Sequence, residues 1–174
     1  PLTIILRRGE RVSPVATGGR DTVGLRVPAH EVALELLHRF GGGVAAPSAN
    51  RFGEVSPTTA QHVLTDLGDA VDLVLDGGPT TVGVESTIIG AWDERPRLLR
   101  SGTVTVDQIE QLTGLVVVDD AAGVRAPGTT ESHYAPSARV LVTEPEGLGA
   151  LSARLAPAPF GLIALAHLAD RHPF

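Results

Sequence analysis

Short apolar runs, each cut off by glycine or proline, alternate irregularly with a few stretches of helical period, and this pattern most constrains what the chain can become. Leu2-Thr3-Ile4-Ile5-Leu6 reads as a strand, and Thr22-Val23-Gly24-Leu25-Arg26-Val27 as a second, ended by Pro28. Val32, Ala33, Leu36, Leu37 and Phe40 recur at helical spacing before Gly41-Gly42-Gly43 stops the helix. Val44-Ala45-Ala46 reads as a short buried strand. Ser56-Pro57 sets a cap residue before proline at the first helical position, and Ala60, Val63, Leu64 and Leu67 supply that helix with its apolar face. Residues 71–75, 81–89, 97–99 and 115–118 are further strand candidates, and Thr105 with Gln108 makes a capping box for a helix through Leu112. Strict alternation is missing. The expected fold is therefore α/β: a twisted mixed sheet, parallel and antiparallel, with flanking helices.

The pattern changes after Val118. From Asp119 to Ser137 glycine, proline, hydroxyl and charged residues follow without a period, as in a linker or a functional loop. A strand over 140–142, a helix over 148–155 and a strand over 161–165 then read as a piece too short to bury its own core. The expected organisation is a domain over 1–118, a linker over 119–138, and the start of a second α/β domain over 139–174. Pro1 leads straight into a strand, which reads as a fragment truncated at both ends.

Composition removes several classes. Hydrophobic residues at 43% and charged residues at 20% supply a core and exclude disorder. Cysteine is absent, so there is no disulfide scaffold, thiolate zinc site or cysteine nucleophile. All the positive side chains are arginine, so no lysine is present to form a Schiff base or anchor a phosphate. The net charge of −6 argues against a broad nucleic-acid surface. No apolar stretch is long enough for a bilayer and no signal segment is visible. The expectation is a cytoplasmic protein without a membrane partner.

Four segments carry polar residues that a plain core does not require: Thr22 to Pro28 with Arg26 inside it, Ala46-Pro47-Ser48-Ala49-Asn50 leading to Ser56, Asp76-Gly77-Gly78-Pro79 leading to Glu85-Ser86-Thr87, and Arg100-Ser101-Gly102. Ser56 also serves as a helix cap, Ser48 and Asn50 close a turn, Ser86 faces solvent, and Arg100 ends a strand, if nothing more is at work. Arg26 is different, because an arginine among Val23, Leu25 and Val27 in a buried strand needs an anion, either an acid such as Glu85 or a ligand. Gathered together, the segments suit an anionic ligand. Small residues admit it close to the backbone, hydroxyls and helix N–H groups take phosphate oxygens, and the two arginines grip a carboxylate or phosphate. There is no P-loop, no dinucleotide glycine motif and no metal-ligand spacing. A Ser-His-Asp hydrolase built on Ser86 and His133 lacks the nucleophile elbow.

The strings APSANRFGEVSPTTAQHV, DGGPTTVGVESTIIG and LLRSG, in that order, resemble the YrdC-type threonylcarbamoyl-AMP synthase family, and APGTTESHYAP resembles the linker of its long, two-domain form. The resemblance implies a nucleotidyltransferase that joins L-threonine, bicarbonate (or CO2) and ATP into threonylcarbamoyl-AMP and pyrophosphate, for modification of tRNA. It implies ATP contacts at Thr22, Ser48, Ser56, Arg100 and Tyr134, with Tyr134 closing over the nucleotide. It implies L-threonine contacts at Arg26, Ala46 and Ser86. No residue is assigned as a catalytic base or a metal ligand, and Mg2+ is expected to be held mainly by the ATP phosphates. The implied partners are ATP, L-threonine, bicarbonate or CO2, the machinery that transfers the threonylcarbamoyl group to tRNA, and tRNA or double-stranded RNA itself. The family's Lys-x-Arg element is missing, so this chain on its own is expected to bind ligand but turn over poorly. Two alternatives stay open: a non-catalytic RNA-binding module using Arg7, Arg8, Arg11 and Arg20, and a YrdC-like module of a carbamoyltransferase.

Overall fold

The computed structural model describes residues 1–119, 139–159, 161 and 163. The chain divides into two compact units, Pro1–Ala135 and Pro136–Phe174. In the first, strands β1 (Leu2–Arg7), β2 (Thr22–Leu25), β3 (Thr87–Gly90) and β4 (Arg97–Arg100) form one four-stranded sheet in the order β2-β1-β3-β4. The β1–β2 and β3–β4 pairs are antiparallel and β1–β3 is parallel, so the sheet is mixed, as the irregular alternation predicts. Central β3 is buried along its whole length. Ile88 and Leu99 are 2% and 4% exposed and form the core, with Ile5 and Trp92 packed against them.

Helices α1 (Glu31–Phe40) and α2 (Ala60–Leu67) stand where the apolar period places them, and α3 (Val106–Thr113) where the capping box does. Helix α1 ends on Gly41 at φ 71°, a left-handed conformation that glycine adopts without strain. Helix α3 has the full capping box: Thr105 Oγ1 accepts from the Gln108 N–H, and Gln108 Oε1 accepts from the Thr105 N–H. Replacing Thr105 by alanine is expected to cost about 1 kcal/mol in chemical denaturation, and a loss below a few tenths would show that tertiary contacts alone hold α3.

Several expected elements do not form. Helix α2 starts at Ala60, not behind Ser56, because Thr59 is its cap: the Thr59 hydroxyl accepts from the His62 N–H at 3.2 Å. Thr58 completes the stop by donating its N–H to His62 Nδ1 at 3.3 Å, so two β-branched residues, which resist helix, precede the first turn. Residues 44–46 and 71–75 are irregular and mostly exposed, and only 87–90 of the 81–89 run joins the sheet. Residues 115–118 contribute a single parallel bridge, Val118 to Arg97. Residues 140–142 are irregular, and of the 161–165 run only two residues are described.

Where the chain enters β4, Arg97 donates to Asp93 at 3.0 Å and the Arg95 N–H donates to the same carboxylate at 3.1 Å. These bonds hold the Asp93 carboxyl below its ordinary range, the Arg97 bond contributing most. A depressed carboxyl stabilises the fold at neutral pH and loses that contribution as pH falls through its lowered value. An acid titration of Asp93 followed by NMR is expected to show a midpoint below that of Asp in a model peptide, and Arg97→Gln should move it back up.

In the second unit α4 (Leu148–Leu155) follows a short turn at Pro145–Gly147, and Leu148 is buried.

Candidate functional site

The sheet register gathers one end of four strands. Antiparallel pairing sets Leu25, the last residue of β2, opposite Ile4, so Arg26 emerges beside the start of β1. Parallel pairing sets Thr87 opposite Leu2, so Ser86 enters β3 at the same end. Antiparallel pairing sets Arg100 opposite Ile88, so β4 leaves the sheet there too. Arg26, Ser86 and Arg100, far apart in sequence, thus share one sheet end. Thr22 does not: it pairs with Arg7 and begins β2 at the opposite end.

At this end Ser86 is 3% exposed, not solvent-facing, and Thr87 is 0% exposed. Arg100 donates from Nε and Nη2 to the Ser86 carbonyl oxygen at 3.0 and 2.8 Å, and from Nη2 to Ser86 Oγ at 3.1 Å. Thr3 Oγ1 lies 2.7 Å from Ser86 Oγ. Thr87 Oγ1 donates to the Val104 carbonyl at 2.7 Å, and the Thr87 N–H donates to the Pro1 carbonyl at 3.2 Å. Arg100 is therefore more than a strand-end charge: one edge of its guanidinium is fixed on Ser86.

Arg26 corrects an expectation. It is exposed, and so are its neighbours Leu25 and Val27, at 49% and 84%. The reason is topological, since β2 is an edge strand and pairing stops at Leu25. Arg26 has no hydrogen bond or ion pair among the described residues, so the internal pair with Glu85 is not formed. An exposed cation at the sheet end needs no internal anion, and its guanidinium is available to solvent-borne ones.

The loop over 41–59 carries Ala46 and Ser48, both exposed, and the half-buried Asn50 and Ser56. It is fastened to α2, because the Arg51 N–H donates to Asp66 Oδ2 at 2.7 Å and Arg51 Nε to the Asp66 carbonyl at 3.0 Å. Asn50 Nδ2 closes the turn by donating to the carbonyls of Arg51 and Glu54 at 2.9 and 3.0 Å. The Thr80 N–H donates to the Thr58 carbonyl at 2.9 Å, tying the loop to the segment after the Asp76 turn. Ser56 Oγ and Asn50 Oδ1 are buried with no hydrogen-bond partner among the described residues. A shielded hydroxyl without a partner is costly unless something completes it. Tyr134 lies outside the described residues. Two cavities, about 290 Å³ beside Pro96 and Leu115 and about 410 Å³ between α1 and Leu75, include none of these residues.

The sequence reading misses Thr3, whose one signal is a hydroxyl inside an otherwise aliphatic run.

Fold and site together define a mixed α/β protein with cationic and hydroxyl groups converging on one sheet end. The Sua5/YciO/YrdC family model, described as telomere recombination, matches residues 1–102, and a model described as the C-terminal domain of threonylcarbamoyl-AMP synthase matches residues 104–169. The chain belongs to the Sua5/YciO/YrdC family. It is similar to the threonylcarbamoyl-AMP synthase of Pyrococcus abyssi, 44% identical over 83% of this chain and 44% of that protein. It is also similar to that of Bacillus subtilis, 42% identical over 82% of this chain and 43% of that protein. The crystal structure of P. abyssi Sua5 with L-threonine superposes with a TM-score of 0.78 at 39% identity, over 89% of this chain and 48% of that one. The chain thus spans less than half the length of the relatives it matches.

Proposed function

We propose that the protein carrying this chain is an L-threonylcarbamoyl-AMP synthase. The observation that supports this best is the likeness, over 89% of the chain, to a structure holding L-threonine. In this reading the threonine amine bonds to the carbon of bicarbonate, with loss of water, or of CO2, with loss of a proton, and forms a carbamate. A carbamate oxygen then attacks the α-phosphorus of ATP while the bond from that phosphorus to the bridging oxygen breaks, and pyrophosphate leaves. Arg26 holds the amino-acid carboxylate with two parallel hydrogen bonds, and Ala46 and Ser86 complete the threonine site. Thr22, Ser48, Ser56, Arg100 and Tyr134 attend the nucleotide, the unpartnered Ser56 hydroxyl donating to a phosphate oxygen. Residues 1–118 supply these groups apart from Tyr134, residues 119–138 the linker that carries it, and residues 139 onward a second domain.

The chemistry depends on orientation and on stabilising charge at the phosphates rather than on a strong base. Among the described residues no three His, Asp or Glu side chains come together. The hydroxyl and arginine donors here would hold the ATP phosphates, whose oxygens would carry the accompanying Mg2+, and the metal would supply charge neutralisation during the transfer. The product would pass to the machinery that modifies tRNA, in the cytoplasm. Among the described residues no helix is long and apolar enough to cross a membrane.

The test supplies ATP, Mg2+, labelled bicarbonate and either L-threonine or no amino acid, and separates the adenylate from ATP. Threonine-dependent label in an adenylate, with matching pyrophosphate, is expected. Release of pyrophosphate without threonine would exclude the reading, and a salt-sensitive shift of double-stranded RNA with no adenylate would favour the binding module instead.

A further inference from the structure

We propose that Thr3 is a positioning residue of the threonine site, acting through Ser86: its hydroxyl sets the direction in which the Ser86 hydroxyl donates. The inference rests on the reading above, in which Ser86 meets the substrate. A serine hydroxyl has one proton and two lone pairs. Arg100 Nη2 donates into one lone pair from 3.1 Å, and Thr3 Oγ1 occupies a second position at 2.7 Å. Ser86 is 3% exposed, so bulk water does not complete the set. Either hydroxyl can donate across this contact. In the proposed arrangement Thr3 is the donor, which fills both lone pairs and leaves the Ser86 proton for a third partner that must be an acceptor. The Arg100 charge on the same oxygen sharpens that proton as a donor. The pair therefore turns Ser86 into a directed donor for an anionic oxygen, the carboxylate or carbamate of an α-amino acid.

Thr3 is itself held. It sits opposite Ile88 in the parallel β1–β3 pair. On its other side the Thr3 methyl lies over Gly24, 3.6 Å from where a Cβ would stand, an ordinary packing distance. A β-branched side chain whose methyl lies over Gly24 keeps its hydroxyl on the Ser86 side.

The experiment compares Thr3→Val, which keeps shape and branching but removes the hydroxyl, with Thr3→Ser, which restores it. L-Threonine and ATP are titrated separately by calorimetry, beside thermal melts. Thr3→Val is expected to weaken L-threonine about tenfold or more while ATP affinity stays within about twofold, and Thr3→Ser to recover most of the loss. Wild-type threonine affinity in Thr3→Val would overturn the proposal. So would a loss of both ligands with a lowered melting temperature that serine does not repair. The Ser86 χ1 couplings measured by NMR without ligand separate this proposal from the functional reading. If the wild-type protein fails to bind L-threonine, the function is wrong, and the couplings still decide. One rotamer in wild type and Thr3→Ser but averaging in Thr3→Val supports Thr3 as the positioning group, and one rotamer in all three overturns it.

Discussion

Gly102→Ala is expected to destabilise the protein by about 3 kcal/mol or more, through overpacking against atoms that cannot move aside. The added Cβ would press on the Thr87 backbone nitrogen and stand 2.7 Å from the Glu85 carbonyl oxygen and 2.8 Å from Thr87 Oγ1. These atoms are pinned: the Thr87 N–H is bonded to the Pro1 carbonyl, its hydroxyl to the Val104 carbonyl, and the residue is fully buried. Gly77 makes the control. A Cβ there also lacks room, but the obstacle is the ring of His30, an exposed side chain that can rotate. Gly77→Ala should cost about 1.5 kcal/mol or less. Denaturation midpoints with a shared slope measure both, and Gly102→Ala within about 0.5 kcal/mol of wild type would refute the crowding. Under the proposed activity Gly102→Ala should also weaken L-threonine, because Ser86 lies between the two displaced groups.

The elements readable in the sequence are those whose cause is local. Helix α1 follows from the spacing of Val32, Leu36 and Phe40 with a glycine stop, and α3 from a capping box that needs only Thr105 and Gln108. A strand is different, because an apolar run becomes one only if a neighbour offers hydrogen-bonding groups. Residues 44–46 and 71–75 have the composition but join no ladder, and Val118 reaches only Arg97. The same reasoning explains Arg26. Alternation in residues 22–27 marks a strand, but nothing local says that β2 lies at an edge of the sheet, so the pattern alone implies more burial than the strand has.

The site divides along the same line. Motif resemblance singles out Ser86 and Arg100 individually, whereas their union comes from antiparallel register fourteen positions apart. Thr3 is 83 positions from Ser86, and only the parallel β1–β3 crossover brings the two hydroxyls together. Ser56 shows the converse: as a cap its role would be local, yet Thr59 caps α2, and the Ser56 hydroxyl is left without a partner among the described residues.

Under the proposed activity, Arg100→Lys is expected to weaken both L-threonine and ATP by at least about tenfold, although the charge is retained. The motif resemblance places Arg100 on phosphate. The structure shows its Nε and Nη2 bonded to the Ser86 carbonyl at 3.0 and 2.8 Å, with Nη2 also reaching Ser86 Oγ at 3.1 Å. A lysine ammonium is a point donor on a flexible stem and cannot hold the carbonyl through two fixed N–H groups while reaching the hydroxyl. These three bonds fix one edge of the planar guanidinium on Ser86. Under the proposed activity the amino-acid side and the phosphate side then share a rigid element. Arg100→Ala should lose both affinities and about 2–3 kcal/mol of stability besides, because the Ser86 carbonyl and hydroxyl lose charged donors at a buried position. Arg100→Lys should recover part of that stability but little of the threonine affinity. Calorimetric titration of each ligand, with melts on the same samples, separates the roles. If Arg100→Lys loses ATP but binds L-threonine as the wild type does, the guanidinium serves the nucleotide alone and its hold on Ser86 is structural.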